Sequence, residues 1–255
     1  MIRDLLVDRE MRLGLSFHIH VLVASAFLTC KFESSAEFSS FVSICKDLDS
    51  GIFRAISHSP EYPTILDRLK NNNETFLDLG CCFGQEIRRL VYDGAPQSHL
   101  YGADLRLEFF DLGYKLFRDA STLKAKFLAA DIFDPTSPLA ELERKVDIIY
   151  AGSFLHLFNY EQQIVVCKRI VNLLRENKGS VVLGRQSGNV EAGERFHRTN
   201  HTQSVFRHNE ESFKKMWMEV GEATGTKWRV DVEMFEVERK SGTDGRAIRF
   251  SVWRE

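Results

Sequence analysis

The chain has 255 residues, enough for one α/β domain with an appended segment or for two small domains. Hydrophobic residues make up 44% of it and charged residues 27%, as in an ordinary globular protein. The formal net charge is −2 and no stretch is strongly basic, which argues against a nucleic-acid partner bound through its phosphates.

The cysteines indicate a reducing compartment. There are five of them, and none forms a zinc-like Cys-x-x-Cys pair. An odd number also argues against a disulfide framework, and free thiols are typical of a reducing environment. We therefore expect a cytoplasmic protein with reduced thiols at Cys30, Cys45, Cys81, Cys82 and Cys167.

Residues 1–56 do not resemble the rest of the chain. The stretch 13–30 is apolar but short, and polar residues interrupt it, whereas a membrane span needs about twenty predominantly apolar residues. Ala24-Ser25-Ala26 imitates a signal-cleavage site, but acidic residues stand where a signal peptide is positively charged. We expect no membrane span and no secretion. Three interpretations of this atypical leader remain: a lid helix, a dimer contact, or a misplaced gene start.

The most informative motif lies where the first strand of the core ends. An apolar stretch ending at Leu79 predicts a strand, and a glycine-bounded turn separates it from a helix that begins at Gln85. A dinucleotide site needs Gly-x-Gly-x-x-Gly, but here the spacing is Asp78-x-Gly80-x-x-x-Gly84. An aspartate before the first glycine would repel a pyrophosphate and attract an ammonium group. S-adenosylmethionine carries an ammonium and a sulfonium, so the motif favours this cofactor.

Two later strands also end in an aspartate. The second strand, 100–104, ends in Asp104, whose carboxylate can accept hydrogen bonds from both ribose hydroxyls. The third, 126–132, carries Asp131, which can accept from the exocyclic amine of adenine, while Ile132 can lie against the ring. Each aspartate taken singly can instead cap a helix or sit in a solvated turn. Three such strands at βαβ spacing make the cofactor interpretation more specific.

The remaining pattern predicts further β-α units. Small residues follow the fourth strand, and Ala151 begins a stretch that leaves room for a ligand. The polar stretch 187–207 reads as a mobile loop. We predict strands at 146–150, 180–185, 228–237 and 246–253, and helices at 64–70, 85–92, 108–119, 160–176 and 210–224.

The last two strands decide the sheet type. They are joined by the short glycine-containing turn 240–245, which is too short for a parallel crossover. One of them must therefore run antiparallel if both join the sheet. The outline is an α/β fold with a doubly wound, Rossmann-like seven-stranded sheet and one antiparallel strand near the C-terminus.

The motif Phe76-Leu77-Asp78-Leu79-Gly80-Cys81-Cys82-Phe83-Gly84 resembles the first motif of class I S-adenosylmethionine-dependent methyltransferases. Several further stretches of the sequence are similar to the small fungal methyltransferases of meroterpenoid gene clusters, of the austinol and terretonin type. The stretches that carry this second resemblance are 61–63, 77–85, 101–106, 130–134, 184–186 and 206–213.

The resemblance covers residues 57–255, which it implies form the methyltransferase domain. It implies a homodimer that forms a methyl ester on a carboxylic acid of a terpenoid–polyketide intermediate. By the family pattern, Asp104, Leu105, Asp131, Ile132 and Phe133 contact the cofactor.

Methyl transfer to a carboxylate needs no general base, because a carboxylic acid with a pKa near 4 is already ionised at pH 7. The enzyme has to align oxygen, methyl and sulfur and to exclude water. His156 can orient the substrate or remove a proton, or can be a hydrogen-bonded structural residue. Arg185, near the predicted end of the fifth strand, can hold an acidic substrate or form a salt bridge on the sheet rim.

Other functions remain open at this point. A phenol methyltransferase would need a base such as His156, because phenols have a pKa near 10. A methyltransferase-like subunit without activity would bind a partner protein, and a dehydrogenase is disfavoured by the loop spacing. His197, His201 and His208 give only weak support for a metal, so we expect none.

Overall fold

The computed structural model describes residues 56–196, 204–237 and 245–255. The chain divides into two compact units, and the described residues all belong to the larger one, Arg54–Val237 with Asp244–Glu255. The interpretations of the leader, apart from its last residue Ile56, concern residues outside the described ranges.

A seven-stranded sheet in the order β3-β2-β1-β4-β5-β9-β8 forms the centre of the larger unit. Neighbouring strands from β3 to β5 are parallel, and β9 runs antiparallel to both β5 and β8. This confirms the predicted fold, including the antiparallel strand near the C-terminus. The strands are β1 (Phe76–Leu79), β2 (Leu100–Asp104), β3 (Lys126–Ala129), β4 (Ile148–Tyr150), β5 (Val181–Gly188), β6 (Gly193–Phe196), β7 (Ser204–Arg207), β8 (Trp228–Val237) and β9 (Gly245–Arg254).

Five α-helices accompany the strands in the described part of the chain. Two of them begin with polar caps: the Asn159 side chain accepts from the backbone N–H of Gln162, and Asn209 accepts from that of Ser212, both at 2.9 Å. The helices are α1 (Tyr62–Asn71), α2 (Gln85–Tyr92), α3 (Leu107–Phe117), α4 (Tyr160–Leu173) and α5 (Glu210–Thr224).

Helices cover both faces of the sheet, so β1 is buried along its whole length. Alternate residues of a strand point to opposite faces. Phe76 therefore packs in one apolar cluster with Ile65 of α1 and Ile87 of α2. Leu77 packs in the other, with residues of α4 and α5 such as Phe213. The carboxyl ends of the parallel strands meet between these two layers.

Some predicted boundaries were wrong. The third strand ends at Ala129, because Asp131 accepts the backbone N–H of Phe133 at 2.9 Å and turns the chain. Helix α4 ends at Leu173 instead of residue 176, because Leu174 leaves the helix and forms a parallel bridge with Val146.

The predicted mobile loop at 187–207 is the largest departure. Strand β5 continues to Gly188, where it faces Arg246 of β9, since the antiparallel partner supplies hydrogen bonds beyond the end of β4. Strands β6 and β7 then pair with each other antiparallel. Residues 197–203, between them, are outside the described ranges. No helix among the described residues is long and apolar enough to cross a membrane.

Candidate functional site

The turn between β1 and α2 depends on two glycines with left-handed backbone. Gly80 has φ +73° and Gly84 has φ +69°. A Cβ atom at Gly80 would lie 2.7 Å from the ring of Phe154, and one at Gly84 would lie 2.5 Å from the ring of Phe127. Neither position accepts a side chain without displacing an aromatic ring. Both predicted loop glycines are therefore required by the local geometry.

Cys82 stands where the dinucleotide motif has its middle glycine, and it too has positive φ, at 50°. A residue with a side chain is uncommon in this conformation. Its backbone N–H donates to Oδ2 of Asp104 at 2.9 Å, and this hydrogen bond ties the turn to the end of β2. The structure thus brings the glycine turn and the second predicted aspartate into direct contact.

Asp104 is held by backbone groups on both carboxylate oxygens. Its Oδ1 accepts the N–H of Arg106 at 3.1 Å, while Oδ2 accepts that of Cys82. Burial raises the pKa of Asp104, and the hydrogen bonds from these backbone N–H groups oppose that rise. The side chain is only partly buried. A fixed, partly exposed carboxylate at the end of a parallel strand suits a ribose diol.

Asp78 is the most deeply placed acid of the predicted site. It is 3% exposed, and its Oδ2 has no hydrogen-bond partner. Burial, followed by the nearby Glu86 and Asp104, raises the pKa of Asp78 well above its usual range. The turn holds a second orphan acceptor, Oε1 of Gln85. Buried acceptors without donors are costly, and an ammonium group such as that of S-adenosylmethionine would supply the missing donors and the opposite charge.

The third-strand residues lie next to Asp104. The backbone N–H of Ala130 donates to the carbonyl of Asp104 at 2.8 Å, so the ends of β2 and β3 are joined. Beyond this bond Asp131 is exposed and Ile132 is buried. Phe133 is 38% exposed and packs edge-on against Phe158, with ring centroids 5.2 Å apart. Leu105, which directly follows Asp104, is also exposed.

Ala151 is fully buried directly after β4, and its backbone N–H donates to the carbonyl of Leu183 at 2.9 Å. A Cβ at Gly184 would lie 2.6 Å from the carbonyl oxygen of Ala151. The strands approach so closely here that position 184 has no room for a side chain beside Ala151.

His156 lies in a short 3-10 helix, Leu155–Leu157, after β4. Its Nδ1 lies 3.4 Å from the backbone nitrogen of Ser187 and can accept the N–H, an arrangement in which a neutral ring carries its proton on Nε2. Its carbonyl accepts a hydrogen bond from Arg207 of β7. The ring is therefore a donor at Nε2 in this arrangement.

Arg185 does not stand at the end of its strand, because β5 continues for three more residues. It is 7% exposed, and its guanidinium lies over the ring of Phe235, 4.7 Å from the centroid. Its charge acts on Tyr150, whose pKa is raised well above its usual range by burial and by Glu86 and Asp78, and Arg185 opposes that rise. Both predicted roles of Arg185, contact with an acidic substrate and a salt bridge, stay predictions for this buried position.

Several residues near the site were missed. Phe154 touches Gly80 and packs edge-on against Phe158, with centroids 5.4 Å apart, and Glu86 is buried beside Asp78. The contact between Phe154 and the glycine turn could not be predicted from the sequence, because it joins segments about seventy residues apart. The signal available for Glu86 was its position in the sequence, two residues after the second glycine of the turn.

The predicted absence of a metal concerned three histidines, of which His197 and His201 lie outside the described ranges. His208 is fully buried, with Nδ1 2.9 Å from the hydroxyl of Ser212 and Nε2 3.1 Å from Oε1 of Gln163. Burial lowers the pKa of His208 to about 4. Within the described ranges, no three His, Cys, Asp or Glu residues are grouped as metal ligands.

Comparisons with known proteins agree with this geometry. A family model described as a methyltransferase domain matches residues 76–177. O-methyltransferase phiE of a fungal species (strain ATCC 74256) is 50% identical over 178 residues, which are 69% of this chain and 59% of phiE. Methyltransferase adrK of Penicillium roqueforti is 41% identical over 202 residues, which are 76% of this chain and 69% of adrK. The chain thus spans about three fifths of the length of phiE.

Solved structures share the fold. The 1,6-didemethyltoxoflavin-N1-methyltransferase of Burkholderia thailandensis, with S-adenosylhomocysteine bound, superposes with a TM-score of 0.54 at 14% identity. The superposition covers 88% of this chain and 92% of that one. The identity to adrK over most of both chains, the shared fold and the glycine turn together identify the family of this chain. The chain belongs to the S-adenosylmethionine-dependent methyltransferase family, among the fungal methyltransferases that include adrK.

Proposed function

We propose that this protein transfers the methyl group of S-adenosylmethionine to a carboxylate oxygen of an apolar small molecule of the terpenoid–polyketide class, forming a methyl ester. The observation that carries the proposal is the orientation of His156. Its Nδ1 can accept from the N–H of Ser187, an arrangement in which a neutral ring carries its proton on Nε2. A donor can orient a carboxylate oxygen, whereas a phenol would need a base to remove its proton.

We assign each proposed cofactor residue to a part of S-adenosylmethionine according to its position in the site. Asp78 and the turn from Gly80 to Gly84 take the methionine part, because the unpartnered Oδ2 of Asp78 suits an ammonium. Asp104 takes the ribose hydroxyls. Leu105 and the stretch from Asp131 to Phe133 take the adenine, at the joined ends of β2 and β3. Ala151, directly after β4, forms the base of the proposed cofactor site.

The proposed substrate side combines apolar surface with a cation. The rings of Phe133, Phe154 and Phe158 form a continuous aromatic wall beside the glycine turn. Arg185 lies deeper, and we propose that it attracts an acidic group toward the carboxyl end of β5. An apolar acid fits such a surface better than a highly polar metabolite does.

The printed names of the relatives support an oxygen acceptor. Both phiE and atr3 of Stereocaulon alpinum are named O-methyltransferases. We extend this to a methyl ester, and we propose that residues 57–255 form the catalytic domain while the leader serves as a lid or a dimer contact. We also propose a cytoplasmic homodimer, a location consistent with free thiols at Cys81, Cys82 and Cys167.

The test is a product analysis with the full chain. The protein is incubated with S-adenosylmethionine and two matched panels, terpenoid or polyketide acids and phenols of similar size. We expect methylated acids whose methyl group is released as methanol by mild alkali, because alkali hydrolyses esters and leaves aryl ethers intact. Ethers from the phenol panel and no esters would replace the proposal with phenol methylation. Cofactor binding with no product in either panel would favour the partner-binding subunit.

A further inference from the structure

We propose that Arg88 is a positioning residue that fixes the backbone of the cofactor turn from its buried side. The inference rests on the proposal that residues 80–84 hold the methionine part of the cofactor. Arg88 lies on the first turn of α2, behind the glycine turn, and it acts through the turn rather than by touching the cofactor.

One nitrogen of Arg88 reaches two consecutive carbonyls of the turn. Nη1 donates to the carbonyl of Phe83 and lies 3.3 Å from that of Gly84. The carbonyl and the N–H of a planar peptide point in opposite directions. The Gly84 carbonyl also accepts the backbone N–H of Arg88 at 3.1 Å, so the Arg88 side chain acts on the turn mainly through the Phe83 carbonyl. Fixing that carbonyl sets the direction of the Gly84 N–H, which donates to the Cys81 carbonyl at 2.7 Å and closes the turn. This control matters because Gly84, at φ 69°, has no side chain to restrict its backbone.

The guanidinium is itself held rigidly by α3 and the residues after it. Nε donates to Oδ2 of Asp119 at 2.6 Å and Nη2 donates to Oδ1 at 2.9 Å, a bidentate pair. Cζ lies 4.4 Å from the ring centroid of Phe117, so the cation also stacks on an aromatic face. All three nitrogens of the guanidinium thus donate hydrogen bonds. A lysine has one nitrogen and cannot reproduce this fork.

The packing around Arg88 leaves little space for the side chain or the turn to move. A Cβ at Gly84 would lie 2.9 Å from Nη1 of Arg88, and a Cβ at Gly113 of α3 would lie 2.5 Å from the carbonyl oxygen of Phe83. The backbone of the turn is thereby enclosed between Arg88 and α3. A small movement of the guanidinium must displace the Phe83 carbonyl, and with it the turn.

The neighbouring Arg89 provides a matched control. It forms a comparable ion pair within the same helix, with Nε 2.6 Å from Oδ2 of Asp93, and its side chain is also partly buried. Its partners are Asp93 and Tyr62, at the opposite end of α2 from the glycine turn. Loss of either arginine should cost similar stability, but only loss of Arg88 should alter the turn.

The experiment compares Arg88→Met with Arg89→Met in the full chain. Methionine retains length and apolar contact but donates no hydrogen bond. We expect Arg88→Met to raise the dissociation constant for S-adenosylmethionine about tenfold or more in isothermal titration, since a charge-assisted hydrogen bond is lost. Arg89→Met should leave it within about twofold. Thermal midpoints should fall by similar amounts, and kcat at saturating cofactor should change less than the cofactor KM.

Equal dissociation constants for the two methionine variants would overturn the inference. Two further variants keep it testable if Arg88→Met does not fold. Asp119→Asn leaves the bonds to the turn but loosens their anchor, and Arg88→Lys keeps the charge without the fork. Both should give intermediate affinities, and wild-type affinity in both would also overturn the inference.

The Asp104→Ala variant separates this inference from the site on which it rests. Weaker cofactor binding in Asp104→Ala, with no change in Arg88→Met, would remove Arg88 and leave the site in place. Unchanged binding in Asp104→Ala would instead count against the proposed cofactor site itself.

Discussion

The proposed cofactor side and the proposed substrate side of this site are built in different ways. On the cofactor side, Asp78, Cys82 and Asp104 lie within 27 residues of chain and meet because β1 and β2 are neighbours. On the substrate side, His156 contacts Ser187, and Arg207 reaches back to the carbonyl of His156 across 51 positions. A site built from adjacent β-α units can be recognised locally. A site assembled from distant loops needs the tertiary structure.

A buried network shows how the substrate side is held together. The amide nitrogen of Gln163 donates to the carbonyls of Phe158 at 3.0 Å and Phe206 at 3.2 Å, and its oxygen faces Nε2 of His208. One helix side chain therefore fixes the segment after β4, the strand β7 and the approach to α5. Substrate-side variants should affect these segments together, whereas cofactor-side variants should act more locally.

The largest expected effect is on the cofactor side, in Gly84→Ala. The new Cβ would lie 2.5 Å from the Phe127 ring at φ +69°, so steric overlap adds to the cost of a left-handed alanine. We expect roughly 3 kcal/mol weaker cofactor binding, about 100-fold. The control is Gly225→Ala, which has φ +66° but nothing within 4 Å, and titration should show its affinity unchanged.

The next effect tests the buried acid beside the turn. Burial raises the pKa of Glu86 to about 7, while the hydrogen bond from the Ile56 N–H, at 2.8 Å, opposes the rise. Between pH 4.5 and 7 the unfolded chain gives up this proton while the folded chain keeps it, so the free energy of unfolding falls as pH rises. The total loss is about 3 kcal/mol above pH 7, at about 1.4 kcal/mol per pKa unit.

Glu86→Gln should remove that loss. Urea unfolding at pH 5 and pH 8 should show the variant gaining stability over the wild type at pH 8, with a much smaller difference at pH 5. The exposed Glu222 of α5 is the control, and Glu222→Gln should keep the wild-type dependence. Parallel pH dependences for Glu86→Gln and the wild type would show that Glu86 is ionised at pH 5.

Asp104→Ala should weaken cofactor binding by about 1–3 kcal/mol, because ribose hydroxyls would lose their acceptor and Cys82 would lose the bond that fixes its N–H. The comparison variant is Asp131→Ala, at an exposed position, which should cost less. Both dissociation constants come from titration with S-adenosylmethionine. An affinity for Asp104→Ala equal to that of the wild type would remove Asp104 from the site.

The smallest effect is expected on the substrate side. His156→Ala should lower kcat on a carboxylic acid by less than about tenfold, because a carboxylate needs orientation and no proton removal. A phenol substrate would lose far more. Initial rates on both substrate panels measure the difference, and a near-total loss on the acid would contradict the base-free reaction.

The sequence by itself determined the sheet, the glycine turn and the family. Strand periodicity and the acids at strand ends depend on neighbouring residues, so the seven strands of the main sheet and its antiparallel strand were predictable. The same local rules failed for 187–207, because a polar stretch extends β5 only where β9 is present to pair with it, and because β6 and β7 lack the alternation of apolar residues that predicts a hairpin.

Only the tertiary structure decided which groups surround the turn. The burial of Arg185 on Phe235, the contact of Phe154 with Gly80 and the ion pair of Arg88 with Asp119 all join elements that no local pattern relates. Side-chain direction and desolvation depend on what packs against a residue from elsewhere in the chain. Composition and spacing do not contain that information, and for that reason Asp78 could be proposed as a ligand from the motif, while its unpartnered oxygen could not be foreseen.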